Sequence, residues 1–324
     1  MRVISWILAA ALSCGFSTSG AAIEGPSAAG PIGGTDVRVA LIPPAGLYGG
    51  GAVLTVRAFD FADGQGQSIP ALSNGQLSRV IGGPFLFYVP DLDVAGGRIG
   101  FAGVFSDGQQ CGRLFAFEQR RCQSGFGDPY FEVVWSRYFG KPRRSLDPTA
   151  YPIAEGLAVA IGFGVVVPVG QYNATTITTQ ALSTGTHIWD FAPNIAFTYT
   201  TPAILGDGTE VSAKLYWNSY LTNPATQYSS GSLLNLDFAV SERFGRFQAG
   251  FAGFYAFQIE DDHLFGVRIP PDGRRAEVLN IGAVVVYDMP ELAMSVKVKA
   301  LTTVISANTA TSPGVVVAFF KKLY

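Results

Sequence analysis

Ser183, His187 and Asp190 lie close together in sequence and have the composition of a nucleophile, a base and its orienting carboxylate. A serine nucleophile needs a histidine base within hydrogen-bond reach. The chain has 2 histidines, His187 and His263, and both fall in or beside segments that read as surface loops. Such loops routinely carry Ser, Thr and Asp, so the pattern argues against a catalytic site. Asp261-Asp262 with Asp272-Gly273 offers carboxylate oxygens of the kind calcium takes, but acidic loops are ordinarily just solvated. The histidines lack the ligand spacing of a metal site. Gly49-Gly50-Gly51 lacks the strand–turn–helix setting of a phosphate loop, and glycine there relieves crowding on a curved sheet. No enzyme chemistry, cofactor or metal is expected.

Cysteine usage points to export. Arg2 followed by the apolar run Val3 to Leu12 and the small residues Ser19-Gly20-Ala21-Ala22 reads as a cleaved signal peptide over residues 1–22. The apolar run is shorter than the about 20 residues a membrane helix needs. Ala11-Leu12-Ser13-Cys14 raises the alternative of a lipid-modified Cys14, against which stands Ala11 in place of the usual Leu. Removal of the signal leaves Cys111 and Cys122, and an even pair outside the cytosol predicts a disulfide.

Those residues must be carried by a membrane fold. The chain is 48% hydrophobic and 14% charged, with mean hydropathy +0.27, against roughly 25% charge in soluble domains. The nearest candidate for a helical span, Gly156 to His187, carries no formal charge but contains Gly156, Gly162, Gly164, Pro168, Gly170 and Gly185, which would make a poor helix. The remaining structure that satisfies every backbone group in lipid is a closed barrel. A net charge of −2 leaves no basic surface for nucleic acid. The predicted fold is all-β, a transmembrane antiparallel barrel of about twelve strands over residues 48–324.

The two-residue period supports this. Val211, Ala213, Leu215 and Trp217 alternate with Ser212, Lys214, Tyr216 and Asn218, and Leu234, Leu236, Phe238 and Val240 with Asn235, Asp237, Ser241 and Arg243. The expected strands are roughly 48–60, 80–90, 98–106, 130–139, 156–168, 188–201, 210–221, 232–244, 246–259, 277–288, 291–302 and 313–324. An even count puts both chain ends in the periplasm, with long loops outside and short links inside. The link 140–155 breaks that pattern by its length. The closing segment Val315 to Tyr324 ends on an aromatic, as a strand that the barrel-assembly machinery would recognise.

The polar parity places Arg57, Glu132, Lys214, Asn235, Asp237, Gln248, Lys297 and Lys299 in the lumen, where they either select solutes by charge or close the lumen as an ion-pair network. Ala158, Ala160, Gly162 and Gly164 form an inward track of small residues, which either passes a ring or makes room for large neighbours. Residues 23–47, rich in Gly, Pro and Ala, are either a lumenal plug or a periplasmic tail.

Along its length the chain resembles the meta-pathway phenol-degradation transporter family of outer-membrane proteins. The matching residues run in order. They begin with Pro43-Pro44-Ala45-Gly46-Leu47-Tyr48, Gly127-Asp128-Pro129-Tyr130-Phe131-Glu132 and Gly162-Phe163-Gly164-Val165-Val166-Val167-Pro168-Val169-Gly170-Gln171-Tyr172. Trp189-Asp190-Phe191-Ala192-Pro193, Glu210-Val211-Ser212-Ala213-Lys214 and Asn223-Pro224-Ala225-Thr226-Gln227-Tyr228 follow. Departures fall at Ala300 to Asn308, where the family tends to carry charge, and at Lys322, where it has an apolar residue. The resemblance implies an outer-membrane barrel admitting small apolar or aromatic solutes by passive diffusion, in contact with lipid and lipopolysaccharide. The rival classes are a lipid-modifying enzyme and a structural or adhesive barrel.

Overall fold

The computed structural model of the chain describes Glu24 and residues 32–58, 60–72, 76–113, 119–175 and 182–324. The predicted signal peptide and Cys14 lie outside the described residues. Twelve antiparallel strands close on themselves. They are β1 Gly46–Ala58, β2 Gln76–Val89, β3 Gly97–Val104, β4 Tyr130–Arg143, β5 Ile153–Val166 and β6 Asp190–Thr200. The second half comprises β7 Gly208–Tyr220, β8 Leu233–Phe244, β9 Phe247–Gln258, β10 Glu277–Met289, β11 Met294–Ala307 and β12 Gly314–Lys322. Closure runs through β12 and β1, in register from Tyr48 opposite Lys322 to Val56 opposite Gly314. The Leu47 N–H donates to the Tyr324 carbonyl at 2.9 Å, tying the last residue to the first strand.

Alternation decides the faces. On β6, Asp190, Ala192, Asn194, Ala196, Thr198 and Thr200 are buried while Ile195, Phe197 and Tyr199 are exposed. A sheet that exposes its large apolar side chains and buries its polar ones is inside out relative to a soluble protein, which is the signature of a wall between lipid and a polar lumen.

Several boundaries differ from expectation. β2 begins earlier, at Gln76 rather than near residue 80, and β4 runs on to Arg143, pairing with Ile153. The link between β4 and β5 therefore shrinks to residues 144–152. Asp207 holds it, accepting hydrogen bonds from the Ser145 hydroxyl, the Leu146 N–H and the Gly245 N–H, so one carboxylate gathers three periplasmic links. Gly245 itself has φ +60°, a left-handed conformation that favours glycine in the tight β8–β9 turn.

β3 stays short because it kinks at Phe105-Ser106. Its continuation, Asp107–Arg113, pairs with the upper part of β2, and Arg121–Phe126 returns beside it. The expected outside loop 107–129 thus carries a hairpin extending the wall. Cys111 and Cys122 stand directly opposite in this hairpin and form the disulfide, with Cα atoms 4.0 Å apart. Unreduced mature protein should weigh two hydrogens less than its reduced form. Because the closed loop is short, reduction should cost at most about 3 kcal/mol and leave the barrel folded. Two alkylatable thiols in unreduced protein would contradict the pairing.

Candidate functional site: the lumen

The inward faces converge on the N-terminal segment. Glu24 accepts hydrogen bonds from Tyr172, Asn223 and Thr226 in the outer loops. Gly33 to Ala40 then run inside the barrel, and β1 starts at the periplasmic end. Asp237, fully buried on β8, accepts from the N–H groups of Gly33 and Thr35, the Thr35 hydroxyl and Asn235. Gly33 has φ +68°, and a Cβ there would lie 2.6 Å from the Phe254 ring, so this close turn requires glycine.

Two charged clusters clamp the segment. Asp36 bridges Lys297 at 2.8 Å and Lys299 at 2.5 Å, and Lys299 also donates to the Gly33 carbonyl. Arg38 reaches Asp288 at 2.8 Å and donates to Gln248, while its own N–H donates to Glu210. Arg243 completes the periplasmic group at 3.2 Å from Asp288. On β4, β5 and β6 the wall is apolar instead: Ala40 packs with Val134, Ala158, Ala160 and Ala196, flanked by Leu41, Ile42 and Phe87. Higher in the lumen Glu132 and Lys214 form a buried pair at 2.6 Å, with the Lys214 ammonium 4.7 Å from the centre of the Tyr216 ring.

The family model described as the putative MetA-pathway of phenol degradation matches residues 58–319. The chain belongs to this family. Among solved structures it is similar to the COG4313 outer membrane channel from Pseudomonas putida F1. That match has 14% identity and TM-score 0.71 over 89% of this chain and 99% of that one. At this identity the likeness establishes the fold, a bacterial outer-membrane barrel. The TodX monoaromatic hydrocarbon channel deltaS2 mutant matches at 11% identity and TM-score 0.43, over 90% of this chain and 93% of that one, too distant to carry an argument. No curated protein matches the chain.

In this member of the MetA-pathway family, Glu132, Lys214, Asn235, Asp237, Gln248, Lys297 and Lys299 all face inward, and most of them grip the N-terminal segment. Arg57 does not join them. It shares the outward parity of Val53 and Thr55 near the outer end of β1, where a long cationic stem can reach the headgroup level. Gly162 and Gly164 face inward but are covered. A Cβ on Gly164 would lie 2.1 Å from the Tyr130 hydroxyl, and one on Gly162 2.7 Å from Glu132 and from Asn194. The small residues on β5 therefore make room for large lumenal side chains and for residues 39–42, and an open track does not follow from them. Enlarging Gly164 would disturb packing before it tested permeation.

The residues of the considered triad are apart in function. The Ser183 hydroxyl donates to the carbonyls of Gly185 and Gln171, His187 stacks on Tyr172 with ring centres 5.0 Å apart, and Asp190 turns into the lumen. In the family motif Gly127-Asp128-Pro129, the Asp128 carboxylate accepts from the Gly170 N–H and from both the N–H and hydroxyl of Thr186. It thus fastens the loop above β5 to the kink.

The acidic loop 259–276 is satisfied by protein donors. Asp261 pairs with Arg268 and Arg275, and Asp272 accepts from Asn308. Asp262 accepts from Tyr228, Gln258 and the Gly231 N–H. Burial pushes the Asp262 carboxyl up to about 6, against the pull of those three donors. A raised carboxylate binds its proton first in the folded state, so the loop gains stability as pH falls through about 6 and loses it as pH rises. Exchange protection of the Gly231 amide, corrected for intrinsic rate, should be greater at pH 5 than at pH 8, and Asp262→Asn should flatten the difference. Equal protection at both values would contradict the assignment.

Proposed function

We propose that the protein is an outer-membrane channel for passive uptake of small apolar or aromatic compounds, and not an enzyme. The observation that carries this reading is the apolar contact inside the barrel between Ala40 and the inward residues Val134, Ala158, Ala160 and Ala196 of β4, β5 and β6. A pore for hydrophilic solutes would keep water-filled, polar walls throughout, whereas this wall, once the segment moves off it, offers an apolar surface to solutes that shed water. The family description, with its reference to phenol degradation, supports the same solute class. In this reading the exposed apolar wall contacts lipid and lipopolysaccharide, and the closing strand β12 is the element engaged by the barrel-assembly machinery.

Uptake should follow the outside concentration and need no energy source, and loss of the protein should slow growth on an aromatic compound only when supply is limiting. Purified protein in liposomes tests this directly: toluene should enter faster than in protein-free vesicles. Deleting residues 32–41, which are fastened to the inner wall, should raise ionic conductance in planar bilayers several-fold. Phospholipid hydrolysis without accelerated solute entry would replace the channel by an enzyme.

A further inference from the structure

Three arginines without an acidic partner meet on the outward surface of the outer rim. β1 runs outward from the periplasmic end, and Arg57 is its last exposed residue, one alternation beyond Thr55 and two beyond Val53. The register continues across the wall: Arg57 stands opposite Ser78, Ser78 opposite Cys111, and Cys111 opposite Cys122. Residues directly opposite share a face, so these four form one outward row. The next outward row toward the membrane is Val315, Thr55 and Val80. Arg57 and its neighbours therefore lie where the hydrocarbon-facing wall gives way to the headgroups.

The disulfide hairpin brings the second cation to the first. Arg120 is exposed and donates from Nη2 to Oγ of Ser78 at 2.7 Å. Ser78 is also the residue facing Arg57, across strands whose paired Cβ atoms are about 4.5–5.5 Å apart. Arg121, exposed as well, comes next in the chain, and the Cys111–Cys122 bond pins the strand that begins with it. Among the described residues none of these three arginines forms an ion pair. The acids of the adjoining loop are taken up within that loop. Asp60 accepts from the Phe61 N–H and the Ser68 hydroxyl, and Asp63 from the N–H groups of Gln65 and Gln67. Asp107 shares the outward parity of the hairpin but lies four residues from Cys111, roughly 13 Å along a strand.

Like charges gathered in one place repel, and a guanidinium beside hydrocarbon gives up part of its water. A wall that collects such groups without a carboxylate is complementary to an anion that the membrane itself presents. Arginine takes phosphate oxygens with paired N–H donors, and one donor of Arg120 is engaged by Ser78 while those of Arg57 are open. Directly below, Val53, Val80 and Val315 are each close to half exposed on the lipid side. That surface suits acyl chains hanging from the same molecule, for which a free phosphate has no counterpart. In the outer leaflet the molecule with phosphate above acyl chains is lipopolysaccharide, through its lipid A.

We propose that Arg57 and Arg120, with Arg121 beside them, form a binding site for a lipid A phosphate, the acyl chains lying on the wall below. The site turns general contact with lipopolysaccharide into a specific one and does not depend on the solute carried. The full mature protein in detergent should bind lipid A at least about tenfold more tightly than lipid A stripped of its phosphates. That preference should shrink as salt rises from about 0.05 to 0.5 M, because the ion pairs are exposed. Arg57→Gln with Arg120→Gln should bring the two ligands within about twofold, in protein that keeps its disulfide and its heat-modifiable migration. Arg57→Gln alone should reduce the preference at least about threefold, and it touches neither Ser78 nor the hairpin, so the test survives a double variant that does not fold. Equal binding of both forms of lipid A, or a preference unchanged in Arg57→Gln, overturns the site. Phosphatidylglycerol bound as tightly as lipid A would show a general anionic surface and overturn the assignment to lipopolysaccharide. Binding is read without any solute, so its failure leaves the uptake reading standing.

Discussion

Replacing Lys214 with Met should destabilise the barrel by about 3–5 kcal/mol, the cost of leaving a buried charge without its partner. Lys214 and Glu132 are both nearly inaccessible, with side chains 5% and 8% exposed, and sit 2.6 Å apart. Alternation alone suggests that an inward lysine accepts any polar replacement, because a lumen is wet. The structure overturns that expectation: Tyr216 lies against the Lys214 ammonium, and the Glu132 carboxylate is packed with Asn194 over Gly162. The charge left on Glu132 can no longer be solvated where it lies. The double variant Lys214→Met with Glu132→Gln should recover most of the loss, since it removes both charges. Urea titration of protein in lipid vesicles measures all three, and a Lys214→Met protein as stable as wild type would show that water reaches Glu132.

Ile195→Arg is the second large effect, about 2–4 kcal/mol for a cation at the bilayer midplane. Ile195 is the central residue of β6, 56% exposed, and stands between Ile161 and Leu215 in a continuous outward apolar row. Ile195→Phe should be nearly neutral, because lipid imposes no shape. One residue along, the demand reverses. Ala196 is buried against Ala40, and Ala196→Leu should cost about 1–3 kcal/mol through overpacking, with nothing gained from its apolarity. Folding measurements in vesicles separate the two mechanisms, for only the Arg penalty should depend on depth. An Ile195→Arg barrel that folds in lipid as readily as wild type would mean that this face is not in hydrocarbon.

The faces of Lys214, Asp237 and Lys299 can be read from the chain alone because side-chain direction in a strand has a period of two, a property of a few neighbouring residues. The same locality explains the strand number, since each hairpin turn interrupts the alternation at its own place. Alternation misplaces Arg57 because the signal fades along β1. Gly49-Gly50-Gly51 gives β1 no alternation, and a charge beside the outer rim can face either way.

What fills the lumen is decided by tertiary structure. Gly33 meets Asp237 from 204 positions away, and Arg38 meets Asp288 from 250. Nothing near Gly33 in sequence distinguishes a strap inside a barrel from a periplasmic tail. The kink that turns loop 107–129 into a walled hairpin likewise depends on pairing with the upper part of β2. Strand direction is encoded locally by sterics, whereas the partner of a buried charge is whichever opposite group the closed barrel brings to it.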